Sequence, residues 1–175
     1  MYSIIPAEEN PVLRLKAKAV TLPLSPSLQK LVADMKVLLA GEEYGVALAA
    51  PQVGESLRIF IVSGRSMEKR NPEKYEDEVG EDMPIEDEVY INPTIVKTSR
   101  GKKNKHEGCL SIRGKWGEVP RAEKVTLRAF NEHGKEFTRG ASGFLAHIFQ
   151  HEMDHLEGIL YIDKAKELYD EEDSK

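Results

Sequence analysis

QHEMDHLEG, residues 150–158, is the stretch whose reading organises the rest of the chain. His151 and His155 are four apart, so on a helix both rings leave the same face, one turn above the other. Glu152 follows the first histidine and stands beside that face. Two imidazoles on one turn can hold a divalent cation, and the carboxylate between them can take a proton from metal-bound water. A solvated helix with two surface histidines would carry the same letters. The neighbours argue against it. Phe144, Leu145, Ile148, Phe149, Met153 and Leu156 surround the motif, so the helix is expected in the interior, where histidines need partners.

Two histidines leave a cation's protein shell incomplete, because a catalytic site usually adds a third ligand and keeps one position open. The candidates are Cys109, the remaining histidines (His106, His133, His147) and many carboxylates. His147 lies one turn before His151, but three ligands along a straight helix, each turn advancing ~5.4 Å, do not converge on one ion. Cys109 is the better donor, since thiolate suits zinc or iron(II), and Gly108 leaves room beside it. A lone cysteine is more often a small core residue. Spacing alone leaves both readings open.

Working outward, the chain reads as one domain over residues 1–175, an ordinary soluble globule with 40% hydrophobic and 31% charged residues. A net charge of −5 argues against general affinity for nucleic acid or membrane surfaces, while leaving room for a local basic patch. No stretch reads as a signal peptide or a membrane span. The single cysteine excludes an intrachain disulfide and fits a reducing, cytoplasmic setting.

The first twenty residues read as irregular, broken by Pro6 and Pro11. A helix follows over residues 25–40, capped by Ser25, with Pro26 at its first position and Leu28, Leu31, Val32, Met35, Leu38 and Leu39 at helical spacing. GVALAAPQVG, residues 45–54, is small and apolar, and its Gly and Ala residues let another backbone approach. Gln52 is its one strongly polar side chain, either in water on a tight loop or turned towards a ligand. Residues 57–63 read as a strand, and 64–88 as a charged insertion or long loop. Short strands are expected at 89–91, 94–98, 125–130 and 136–138, with a basic turn at 100–105 and a hairpin turn at 131–134. The motif helix should begin near Ser142 and close at Gly158. Residues 164–175 read as a charged helical tail.

Three blocks now stand in order: GVALAAPQ at 45–52, EGCLS at 107–111 and QHEMDHLEG at 150–158. Together they resemble the three motifs of the peptide deformylase family, and the similarity extends through INP at 91–93 and VPRAEKV at 119–125. The resemblance implies an enzyme that hydrolyses the N-formyl group from the N-terminal methionine of newly made polypeptides and releases formate. It implies Cys109, His151 and His155 as ligands of one divalent ion, Fe(II) by family preference, with Zn(II) or another divalent ion as the alternative. Glu152 would be the general base and then acid, with the Gln52 amide and the Leu110 N–H donating to the oxyanion. Gly45, Val46, Ala47 and Gly108 would lie along the substrate backbone, and Phe144 and His147 would line the methionine pocket. Partners would be formyl-methionyl N-termini of nascent peptides, in proximity to the ribosome, with no specific nucleic acid and no membrane.

The chain departs from the family pattern in three places. Ala47 stands where a glycine is common, Arg113-Gly114-Lys115-Trp116-Gly117 follows EGCLS where many members have a proline, and His147 replaces an apolar residue or arginine. Trp116 either stacks on substrate or packs on the rim. His133 is expected in a hairpin turn, His106 on the surface, and Arg121 against a buried carboxylate such as Asp154. Two other readings of the motif are a zinc peptidase and a non-catalytic, metal-stabilised protein that binds N-termini. The expected fold is α+β, with short antiparallel strands around the central metal-binding helix and the N-terminal helix packed outside.

Overall fold

Strands β1 (Ala47–Ala49), β2 (Ile59–Val62) and β3 (Glu88–Thr98) carry apolar residues on both faces, and the two-residue period of a strand sends them into two cores. The computed structural model describes residues 2–68 and 86–170. Leu48, Ile59, Ile61, Val89 and Ile91 pack against Leu31, Val32, Met35 and Leu39 of helix α1 (Pro26–Gly41). Ala47, Ala49, Phe60, Val62 and Tyr90 pack instead against Ala146, Phe149, Met153 and Leu156 of helix α3 (Gly143–Leu156). The sheet is therefore filled on both faces, with the motif helix on one and the N-terminal helix on the other. Phe60 and Tyr90 stack at 4.6 Å, and Phe149 meets Tyr90 edge-on at 5.1 Å, which fixes the motif helix against the sheet.

This sheet runs in the order β1-β2-β3-β6-β7, every pairing antiparallel, with β6 (Lys124–Phe130) and β7 (Glu136–Ser142) completing it. A second sheet, β4-β5-β8, is built from a long hairpin of β4 (Lys102–Cys109) and β5 (Ile112–Ala122), joined by β8 (Glu167–Asp170). Short helices α2 (Gly64–Glu68) and α4 (Tyr161–Lys164) complete the described elements. The α+β architecture expected from the sequence is the one observed. None of the described helices is long and apolar enough to cross a membrane.

Several local expectations are corrected. The two short strands around Asn92-Pro93 are one bulged strand: Asn92 sits at φ +50, and its side-chain amide bonds both the N–H and the carbonyl of Val20 at 2.8 Å. The basic turn at 100–105 is mostly edge strand β4, where exposed lysines discourage pairing with another chain. The tail expected to be helical forms strand β8 at 167–170, because Leu168 and Tyr169 pair across to Gly117 and Trp116; residues 171–175 lie outside the described residues. The insertion expected at 64–88 lies outside them over 69–85, and its first five residues form α2. Ser142 precedes α3 but makes no side-chain cap.

Other expectations stand. Ser25 Oγ accepts from Leu28 N–H at the start of α1. Gly158 closes α3 in a Schellman arrangement: Ile159 N–H donates to the Asp154 carbonyl at 2.9 Å and Gly158 N–H to that of His155 at 3.3 Å. Gly158 has φ +74, and a Cβ there would lie 2.8 Å from the Arg14 carbonyl oxygen. We expect Gly158→Ala to cost about 1–3 kcal/mol from both effects, read as a lower urea midpoint. An unchanged midpoint would mean that the N-terminal segment gives way freely at Arg14.

Candidate metal centre

The first twenty residues form short turns that stitch two distant blocks together. Ile5 N–H donates to the Gln52 carbonyl at 2.9 Å, Ala7 N–H to the Ser111 carbonyl at 2.8 Å, and Asn10 Nδ2 to the Pro51 carbonyl at 2.8 Å. Residues 50–53 are thereby held against the turn that links β4 to β5. Within this frame Gln52 is 2% exposed, and its Oε1 accepts the Ala49 N–H at 2.8 Å. A backbone N–H can only donate, so the amide orientation is fixed: Nε2 points the other way. It lies 3.5 Å from Cys109 Sγ and 3.4 Å from Ser111 Oγ. The polar side chain of block 45–54 is therefore not in water.

Cys109 ends β4, while His151 and His155 come from adjoining turns of α3. One donor atom from each lies within 4.8 Å of the other two, and Cys109 Sγ is 3.4 Å from His155 Nε2. The cysteine is thus not a plain core residue. His151 Nδ1 meets Glu107 Oε2 at 2.9 Å, which leaves Nε2 as the nitrogen able to bind an ion. A sulfur and two imidazoles suit zinc or iron(II). Glu152 lines the same cavity, and its Oε2 is buried without a partner among the described residues. An unpaired buried carboxyl oxygen beside a sulfur and two imidazole nitrogens suits a water-bearing cation site. The residues present therefore fit a divalent ion.

Electrostatics separates the groups. Burial raises the Glu152 carboxyl to about 7, with Glu107 and Asp154 adding to the rise and His151 and Arg121 opposing it. Burial alone would also raise Glu107, but hydrogen bonds with Arg121 and His151, and the close approach of His147, hold it well below the usual carboxylate range. His155 is pushed down by burial and by the neighbouring His151 and Arg121, so it stays neutral, as a ligand must. For His151 burial acts downward too, yet its contacts with Cys109 and Glu107 outweigh it and hold its pKa above the usual histidine value.

Glu107 is the residue that reading the motifs did not single out. It is 5% exposed and takes a two-pronged contact from Arg121, Nε to Oε1 at 2.7 Å and Nη2 to Oε2 at 2.9 Å. Arg121 Nη1 also reaches Asp154 Oδ2 at 2.6 Å, as the sequence suggested, and Lys164 Nζ holds Asp154 Oδ1 at 2.6 Å. One buried network thus ties β4, β5, α3 and α4 around His151. The signal available in the sequence was proximity alone: a carboxylate two residues before the sole cysteine.

A cavity of about 460 Å³ opens beside these groups. Val46, Ala47, Gln52, Gly108, Leu110, Phe144, His147 and Glu152 all line it, with Cys109 and His151. Gly45 is not among the lining residues; it is buried against α1, where a Cβ would meet Glu42 Cβ at 2.8 Å. Ala47 belongs at the same time to the core beneath α3, so its methyl is part of a packed wall. His147 is 4% exposed, with Nε2 2.5 Å from Glu107 Oε1, so it faces the carboxylate and not the ligand set. His133 is exposed in its turn, and His106 is exposed on β4 against the Tyr169 hydroxyl.

The family model for polypeptide deformylase matches residues 1–171. A peptide deformylase of Halothermothrix orenii is 43% identical over 162 residues, covering 93% of this chain and 92% of that protein. One of Natranaerobius thermophilus is 40% identical over 172 residues, covering 97% and 96%. Among solved structures, a peptide deformylase from Thermotoga maritima matches with a TM-score of 0.77 at 32% identity, over 95% of this chain and 99% of that one. Another, from Synechococcus elongatus in complex with actinonin, matches at 0.77 and 30% identity, over 95% and 79%.

Proposed function

Since the chain belongs to the polypeptide deformylase family, hydrolases acting on N-formyl peptides, we propose that it deformylates nascent chains through the cavity beside Cys109, His151 and His155. The observation that carries this reading is the convergence of those three donors on the wall where Glu152 keeps a buried, unpartnered oxygen. A divalent ion, Fe(II) or Zn(II), held by the three would supply Lewis-acid activation of water and carbonyl. The rest is the work of the chain's own side chains.

Glu152, raised to about 7, is matched to accept a proton from the attacking water near neutrality and to return it to the leaving amine. Gln52 Nε2 is already aimed at the cysteine side of the cavity, so it donates to the formyl oxygen as charge develops without first reorganising. The Leu110 N–H is assigned the second donation. β1 and β4 are each the last strand of their sheet, and Val46, Ala47 and Gly108 line the space beside them. An extended peptide adds there as a strand would. Phe144 and Ile148 give the apolar wall that suits a methionine side chain, with His147 held back on Glu107. The substrate is then a formyl-methionyl N-terminus emerging near the ribosome, and the setting cytoplasmic.

Formate release from formyl-Met peptides, run beside acetylated and unformylated controls and normalised to bound metal, tests the reading. Cleavage of unformylated peptides at internal bonds would replace it with the peptidase reading. We also expect Gln52→Leu to lower kcat by about 10²–10³-fold with little change in KM. The same substitution strands the Ala49 N–H, so stability should fall by about 1–3 kcal/mol. A change confined to KM would move Gln52 from the oxyanion to ground-state binding.

A further inference from the structure

The outer part of the cavity differs in character from the inner wall. It is lined by Tyr44, His106 and the segment Ile112 to Trp116. Tyr44 is 83% exposed and Trp116 36% exposed. The Trp116 ring rests on Gly108, where a Cβ would meet three of its atoms at 3.3–3.4 Å, so the indole forms a wall of the mouth and does not pack away from it. The two acids among the lining residues, Glu107 and Glu152, are buried. The exposed lysine and arginine of the lining, Arg113 and Lys115, therefore face no exposed carboxylate within it, with His106 beside them. This occurs on a chain whose formal net charge is −5, so it is a local feature set against the background.

The two cations are not equivalent. Arg113 Nη2 binds Glu42 Oε1 at 2.9 Å, which offsets its charge. Lys115 is fixed through its backbone, its carbonyl accepting the Tyr161 hydroxyl at 2.9 Å, while its side chain makes no ion pair or hydrogen bond among the described residues. Asp170 stands opposite it across the strand pair, without a direct ion pair between the two side chains, so this carboxylate offsets only part of its charge.

We propose that this mouth reads the residue after the N-terminal methionine, and that Lys115 is a specificity-determining residue favouring an acidic side chain there. The placement rests on the deformylase reading: a peptide whose formyl end reaches Cys109 and the histidines runs outward past Trp116 and Lys115. A lysine serving solubility alone would make no distinction between acidic and basic peptides.

Metal-loaded protein is titrated with Met-Glu-Ser and Met-Lys-Ser, using the fluorescence of Trp116, the single tryptophan of the chain. Formate release is compared for the formyl forms of both peptides and for formyl-Met-Ala-Ser, at low and high salt. The glutamate peptide should bind roughly threefold to fivefold more tightly, the effect of one exposed charge pair, and its kcat/KM should be higher by a similar factor. Salt should bring the ratio towards one. Lys115→Gln should bring it close to one as well, and Lys115→Glu should reverse the order. Equal behaviour of the two peptides, no fluorescence response to either, or an order that survives Lys115→Glu overturns the inference while leaving deformylation intact. Absence of formate from every formyl peptide, with the fluorescence order preserved, overturns the deformylase reading and leaves the preference of the mouth standing.

Discussion

Glu152→Gln is expected to keep its bound ion and lose turnover by about 10²–10⁴-fold, the range for removal of a positioned general base. The two readouts separate because Glu152 is not in the donor set: Cys109, His151 and His155 converge without it. The amide keeps the shape of the side chain, so α3 should retain its packing against β1 and β2. Stability should not fall either. The carboxyl is 4% exposed with one oxygen unpartnered, and burial raises it to about 7, so it contributes strain to the folded state and not support. Metal analysis, a thermal melt and formate release on one preparation check all three. A variant that loses its ion would make Glu152 a ligand, and one with unchanged turnover would end the assignment of the base.

Much of this site was legible because its chemistry is local. His151, Glu152 and His155 lie within one turn and a half of helix, and the apolar residues around them announce burial before any fold is known. Cys109 lies 42 residues before His151 in the sequence, and its position beside the two histidines depends on the hairpin that carries β4 to the face of α3. Gln52 needed more still. Its direction depends on one hydrogen bond to Ala49 and on turns from the N-terminal segment, which read from sequence as merely irregular. The failures share a cause. Strand β8 has no periodicity of its own and exists because Gly117 and Trp116 offer a partner, a tertiary effect that local propensity cannot report. Asn92-Pro93 looks like a break, but the Asn92 side chain replaces missing ladder bonds by holding Val20.

Arg121→Met should destabilise the protein by about 3–5 kcal/mol, because it strands charge in the interior. Arg121 and Glu107 side chains are each 4% exposed, and Asp154 is 12% exposed. Methionine fills similar space, so the loss is electrostatic and not that of a cavity. Asp154 keeps Lys164, but Glu107 is left with only the two histidines. For a chain of this length the melting temperature should drop by roughly 6–20 °C. Lys164→Met is the control: its side chain is 40% exposed, so solvent already screens it and the cost should stay below about 1 kcal/mol. Equal effects from the two would mean that Arg121 is hydrated in solution and its burial is not real. Ion binding gives the second readout. Without Arg121 the Glu107 carboxylate is less strongly held, His151 Nδ1 loses a firm acceptor, and metal affinity should fall about 10–100-fold. Replacing Glu107, Arg121 and Asp154 together by apolar residues should restore much of the stability, since no buried charge remains unpaired. It should not restore the ion, because His151 would then have nothing to fix its ring. That separation of folding from metal binding is what assigns the network to the site and not to the core.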